Sequence, residues 1–284
     1  MKSHHTTSFF TGHGGVRLFC QHWRPTHTAP PKAILVFIHG MAEHSERYQH
    51  PVAYFSERGF ESYAMDLRGH GNSDGRHSYA NSLEELLHDI RIFLEKIKVE
   101  HPKTALFLIG HSFGGQLVLN YGVWHPNGLK GIIASSPNIR LRMHLPLLKR
   151  LAAPIISKLV PRLSFGNELN PSMVCRDPQV IRAYEEDPKI RKRITARLAD
   201  IVLENQLTLV DLAARFHVPA FLMHAGDDKI CCPSGTEEFF KRIPIKEKAF
   251  KVYEGFYHEL FNEVGRDQVF ADMEKWIEKR LAHS

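Results

Sequence analysis

The chain has 284 residues, 43% hydrophobic and 24% charged, which suits a globular protein with one large domain, or one domain carrying an insertion. No apolar run approaches the roughly 20 residues of a membrane span, and the opening MKSHHTT has no apolar segment of the signal-peptide kind. The net charge of +6 and pI of about 9.1 do not by themselves choose between nucleic acid, an acidic surface and no partner at all.

Residues 6–10 and 16–23 are β-rich runs joined by TGHGG, which predicts an opening hairpin. AILVFI at 33–38 is apolar throughout, the pattern of a strand buried on both faces of a parallel sheet, and His39, Gly40 and Met41 follow it. Residues 45–58 predict a helix stopping at Gly59, and 60–65 a strand followed by the loop DLRGHGNS. A long helix is expected over 82–100, with Ser82 and Glu85 as a capping box. TALFLI at 104–109 predicts a strand, GHSFG at 110–114 a tight turn, and 116–124 a buried helix. A sixth strand is expected at 129–135. The alternation then stops: 138–215 carries helical patterns broken by six prolines and no convincing strand. It resumes with a strand at 218–224, a helix at 234–242, a strand at 249–253 and a last helix at 268–281. Repeated strand–helix units imply a mostly parallel sheet with helices on both faces. Residues 1–137 and 216–284 would form that core, and 138–215 a helical cap inserted after the sixth strand, where ligands bind beyond the strand ends.

Gly-x-Ser-x-Gly between a strand and a helix is a nucleophile elbow. Ser112 must sit in a strained turn, and the glycines at 110 and 114 let strand and helix approach. A serine nucleophile needs a base and an acid that orients it, and behind such an elbow they follow in the order acid, then His, each on a loop after a strand. Asp228 and Asp227 both fit the acid, and spacing alone does not separate them; His258 fits the base. The oxyanion hole needs two backbone N–H donors, one after the nucleophile and one from the loop behind the earlier apolar strand, which points to Phe113 and Met41. Cys20, Cys175, Cys231 and Cys232 have no metal-ligand spacing and read as reduced thiols of a cytoplasmic protein; Cys231 lies three residues after Asp228. No cofactor and no metal are expected.

HGMAEHSERY at 39–48 resembles the HGxxEHSxRY box of the monoacylglycerol lipase and lysophospholipase branch of the α/β hydrolases. DLRGHGNSDG at 66–75 is similar to that branch's DxRGHGxSxG, and GHSFGG, with His111, to its elbow. GDDK at 226–229 resembles its acid loop, in which the acid precedes a basic residue, and this selects Asp228; YEGFYH at 253–258 resembles its YEGxYH. The resemblance runs from about residue 6 to 276 and is weakest in the cap. It implies the α/β-hydrolase fold and a Ser112–His258–Asp228 esterase working through an acyl-enzyme on lipids with one acyl chain. By the same resemblance Glu43, His44 and Arg47 would brace the oxyanion loop, a solvated first helical turn being their other reading. Arg68 and His70 read as turn-locking residues.

Two other classes stay open: the same machinery on a small ester or in an aminopeptidase-like enzyme, and a slow-turnover binding homologue. No nucleic-acid partner is expected, and the residues carry no signal for oligomeric state. Within 138–215 stand 14 Lys and Arg against 8 Asp and Glu, so the cap carries the whole net charge. Leu148, Leu151, Ile155, Leu159 and Leu163 recur at helical spacing beside Lys149, Arg150, Lys158 and Arg162. This predicts either a lid resting on an anionic lipid surface or a cap helix whose apolar face covers the core.

Overall fold

The structure, a computed structural model, describes residues 3–26, 29–142, 147–167 and 169–282, with only the backbone described for 147–151. The side chains of Leu148, Lys149, Arg150 and Leu151 thus lie outside the described residues.

The hairpin β1 (Ser3–Thr11) and β2 (Arg17–Pro25) opens the chain. β3 (Ile34–Ile38) follows, then α1 (Gln49–Ser56), β4 (Glu61–Met65), α2 (Leu83–Glu100), β5 (Leu106–His111), α3 (Phe113–Trp124) and β6 (Gly131–Ser135). Between β6 and the return to the sheet come α4 (Leu147–Leu159), β7 (Ser164–Gly166), α5 (Pro178–Glu186), β8 (Arg193–Thr195) and α6 (Ala196–Leu212). β9 (Ala220–Ala225), α7 (Pro233–Arg242), β10 (Lys248–Tyr253) and α8 (Arg266–Leu281) complete it. The main sheet has eight strands in the order β1-β2-β4-β3-β5-β6-β9-β10. The pairs of β2 with β1 and β4 are antiparallel, and every pair from β4 to β10 is parallel. This is the α/β-hydrolase architecture.

The central strands are buried on both faces because helices cover both. Leu86, Ile90 and Phe93 of α2 and Leu117 of α3 pack on one face. Val52 and Phe55 of α1 and Phe270 and Met273 of α8 pack on the other. Register aligns the strand ends: Ile38 pairs with Gly110, and Gly110 with Ala134. The loops after β3, β5 and β6 therefore leave the sheet side by side.

Three local expectations need correction. The stretch after β6 is not strand-free, since β7 and β8 pair antiparallel with Gly166 opposite Arg193. At three residues each they are too short to leave a period-2 pattern. The helix expected over 45–58 starts as a 3₁₀ turn, Ser45–Tyr48, before α1. The capping box at α2 is half formed: Ser82 Oγ accepts from Glu85 N, but the Glu85 carboxylate accepts from Asn81 N at 2.7 Å.

The cap helix α4 runs through Pro154. Ala152, Ala153 and Ile156 line the cavity beneath it. Ile155 and Leu159 are 61% and 76% exposed, and Val160 and Leu163 beyond the helix are also exposed. The described apolar residues at the expected spacing therefore face outward, and the core is covered by a different, smaller-residue face.

Candidate active site

The elbow shows why the sequence needs its small residues. Ser112 has φ 54° and ψ −114°, a strained conformation for a residue with a side chain. A Cβ at Gly110 would strike the Gly114 carbonyl, and one at Gly114 would strike the Ile38 carbonyl. Glycine at these positions lets α3 start directly over the ends of β3 and β5. The turn is pinned by Ser112 N donating to Ser135 O and Asn138 N donating to Ser112 O, both at 3.0 Å.

The loop after β3 comes as close. A Cβ on Gly40 would lie 3.2 Å from Ser112 Cβ. Among the described residues the amides of Met41 and Phe113 donate to no protein acceptor; Met41 lines the same cavity as Ser112, and Phe113 follows Ser112 as the first residue of α3. His39 is a brace: its Nδ1 donates to Gly40 O at 2.7 Å and its Nε2 accepts from Leu67 N at 2.9 Å. Glu43 accepts from Gly40 N at 2.5 Å and from Arg47 at 2.9 Å. Arg47 in turn holds Glu259, the residue after His258, in a bidentate pair at 2.6 and 2.8 Å. This chain of charges links the loop after β3 to the loop that carries His258. Burial opposes the charge on Arg47, but Glu259 and Glu43 outweigh it and raise its pKa. Burial would raise Glu259, yet Arg47 pulls it down to about 2.

His258 Nδ1 lies 2.7 Å from Asp228 Oδ2. Asp227 is exposed, and its amide donates to Phe256 O at 3.0 Å. Asp228 Oδ1 accepts from the amides of Ile230 and Cys231, each at 2.8 Å. Burial would raise the Asp228 carboxyl, but His258 and His224 hold it well below the usual range. Burial would lower His258, but Asp228, Glu259 and Glu43 raise it above its ordinary value. His111, whose ring centroid is 4.8 Å from that of His258, is pushed down to about 4, chiefly by burial and also by His258. It stays neutral where His258 titrates. No hydrogen bond joins Ser112 Oγ to His258 among the described contacts; both line one cavity, and such bonds tighten when substrate arrives.

That cavity holds about 630 Å³ and is roofed by the cap. Leu141, Ile156, Phe165, Leu169, Val174, Ile194, Val202, Leu203 and Ile230 give it an apolar wall. The inserted segment is tied to the loop after β3. Asp187 lies 2.8 Å from His44 Nε2, Lys189 pairs with Glu46 at 2.7 Å, Arg191 N donates to Ala42 O, and Tyr184 lies under Arg47. His44 thus holds the cap. Arg68 pairs with Asp89 on α2, and Arg68 O lies 3.0 Å from His70 Nδ1, which keeps both in the turn-locking role.

Cys231 serves through its amide. Its thiol is fully buried, is kept protonated by that burial and by Asp228, and does not line the cavity. One group of possible metal donors, Asp228, Cys231 and His258, comes within 4.8 Å among the described residues although no ligand spacing marks it in the chain. Its carboxylate oxygens are already engaged by two amides and His258.

Sequence reasoning missed Glu259, Asp187, Tyr184 and His224. The partners of Glu259, Asp187 and Tyr184 are far away in the chain; the signals within reach were Glu259 next to His258 and His224 four residues before Asp228. It also missed Ala42 and Ser136, which take positive φ at strand ends beside the elbow, since neither residue type advertises it.

Residues 29–265 match the family model described as serine aminopeptidase S33, Hydrolase_4. The chain is 31% identical over 273 residues to a monoacylglycerol lipase of Mycolicibacterium smegmatis, covering 96% of each protein. It is 33% identical to an uncharacterized abhydrolase domain-containing protein of Dictyostelium discoideum, of whose length it spans only 28% and which covers 92% of this chain. A soluble variant of monoglyceride lipase from Saccharomyces cerevisiae, solved with a substrate analog, superposes with a TM-score of 0.88 at 26% identity, over 96% of this chain and 94% of that one. With the family model spanning most of its length, the chain belongs to the Hydrolase_4 family of α/β hydrolases, in the branch of the monoacylglycerol lipases.

Proposed function

We propose that the protein hydrolyses carboxylic esters of lipids with a single acyl chain, monoacylglycerol or lysophospholipid. The observation that carries this is the apolar cavity of about 630 Å³ ending at Ser112 and His258, a size that suits one flexible ligand (about 300–1,000 Å³). Ser112 attacks the carbonyl while His258 takes its proton. Asp228 holds the imidazole and stabilises its charge. The amides of Met41 and Phe113 receive the oxyanion, each such donor being worth about 10²–10³ in rate. His258 then protonates the leaving alcohol, and water releases the acyl group by the reverse sequence.

An aminopeptidase would need a spare carboxylate for the substrate's ammonium group. Among the described residues the two acids lining the cavity, Glu43 and Glu259, are both bonded to Arg47, which favours the lipid ester. A fluorophosphonate probe should add one label, lost in Ser112→Ala, and activity on p-nitrophenyl esters should rise with chain length. Labelling that survives in Ser112→Ala, or a preference for acetyl esters and aminoacyl amides, would sink the reading.

No described helix is long and apolar enough to cross a membrane. We place the enzyme in the cytoplasm, meeting lipid peripherally through the cap. Exposed Ile155, Leu159, Val160 and Leu163, beside Lys158 and Arg162, support contact with an anionic bilayer. Such a surface contributes about 1 kcal/mol per nearby Lys or Arg.

A further inference from the structure

Asp228 faces two imidazoles. Its Oδ2 lies 2.7 Å from His258 Nδ1 and 3.3 Å from His224 Nε2. His224 stands on β9, four residues before the acid, and is wholly buried. Its Nδ1 lies 2.7 Å from Thr236 Oγ1 on α7. A proton on Nδ1 would leave the Nε2 lone pair pointing at a carboxylate oxygen inside the core, a repulsion with no compensating bond. A proton on Nε2 removes that conflict, with the Thr236 hydroxyl donating to Nδ1. Among the described residues Nε2 makes no hydrogen bond of full geometry, and Asp228 Oδ2 at 3.3 Å is the polar atom recorded beside it.

We infer that His224 is a positioning residue of the triad, its Nε2–H set by Thr236 and donated to Asp228 Oδ2 beside His258. The contact is longer and less well aligned than that of His258, so His224 is the weaker of the two donors to the shared oxygen. Two amides on Oδ1 and two imidazoles on Oδ2 stop the carboxylate from rotating. Sharing Oδ2 also moderates the pull of Asp228 on the His258 proton, which keeps the base usable near neutral pH. The other titratable groups facing His258 are His111, Glu43 and Glu259; Cys231 faces Asp228, and Arg142 donates to the Asp228 backbone carbonyl. None of these reaches Oδ2.

The inference rests on reading Asp228 and His258 as the acid and base. His224→Leu, His224→Gln and Thr236→Val are compared in the full chain on a soluble p-nitrophenyl ester, with active sites counted by burst titration. His224→Leu should lower kcat about tenfold, the scale of one lost buried hydrogen bond to a charge, with KM within about twofold. With no competitor for Oδ2, Asp228 should hold the His258 proton more tightly and move the acid limb of kcat/KM up by roughly half a unit. His224→Gln, whose amide can donate to the same oxygen, should return most of the rate and the original limb. Thr236→Val should shift the limb in the same direction as His224→Leu, and carries the test if that variant does not fold. An unmoved limb in both His224→Leu and Thr236→Val overturns the inference, as does a Gln variant no better than Leu. A wild-type protein indifferent to Asp228→Asn would instead remove the acid–base reading beneath it.

Discussion

Ser112, His258 and Asp228 are 8%, 4% and 0% exposed on loops tied by strand ends and ion pairs, whereas Ile155 and Leu159 on the α4 roof are 61% and 76% exposed. Below the cavity the charged side chains are paired: Arg47 with Glu43 and Glu259, and Asp228 with His258. Arg47 bridges Glu43 and Glu259 in a buried site where each bond is strong, and the three together keep one negative charge. Above it, the wall is apolar and its outer side is apolar as well, with cations beside it. The floor must hold donors where charge develops, so it is rigid. Under the proposed function the roof would pass an oily chain from one apolar phase to another, a task that asks for apolar surface rather than for fixed donors.

The sharpest way to break this contrast is on the floor. Asp228→Asn should cost about 10³–10⁴ in kcat with little change in KM, because the wrong tautomer spoils only the transition state. Asp227→Asn should stay within about twofold, and steady-state kinetics that reverse this ranking would assign the acid to the wrong carboxylate. Glu43→Gln should cost about 10–100-fold in kcat, since the Gly40 amide and Arg47 lose their anionic partner. An unchanged kcat would mean that the backbone alone sets the oxyanion loop.

The acid–base pair adds a pH signature. His258 must be neutral to accept a proton, and its pKa is raised. The acid limb of kcat/KM should therefore lie above the ordinary histidine value of about 6.5. A limb below it would contradict the geometry of the pair. The stability linked to Asp228 is complete above its unfolded value near about 4 and is lost as pH falls through its depressed folded value. That linked to His258 is complete below about 6.5 and is lost as pH rises through its raised value.

On the roof the same ester assay should hardly respond. Changing Lys149, Arg150, Lys158 and Arg162 together to Gln should abolish sedimentation with anionic vesicles at low salt. Hydrolysis of a soluble short-chain ester should stay within about twofold. Equal vesicle binding by both proteins, or by neither, would confine the cap to covering the cavity.

The floor was also the more legible half in the sequence. Strands buried on both faces leave continuous apolar runs, and GHSFG between such a run and a helix marks its own geometry. Even the capping serine of α2 announces itself locally. The links that complete the site are through-space pairs: Arg47 with Glu259 is 212 residues apart, and His44 with Asp187 is 143. No local pattern encodes them. In the cap, β7 and β8 are too short for periodicity. The outward turn of Ile155 and Leu159 could not be told from an inward one, because an apolar stripe has the same spacing whichever way it faces.

The place of β6 has an evolutionary consequence. It lies between β5, which presents Ser112, and β9, which leads to Asp228, yet the loop leaving it supplies no reacting group. Beyond Arg142, whose side chain holds the Asp228 carbonyl as the Asn138 amide holds that of Ser112, the chain can be cut and refilled, and whatever is spliced there hangs over Ser112. Recombination at this joint would exchange substrate preference as a cassette. The joint is not wholly free, because Asp187 grips His44 and Tyr184 supports Arg47. A transplanted insert must bring those two handholds with it, or the recipient keeps its chemistry and loses its alignment.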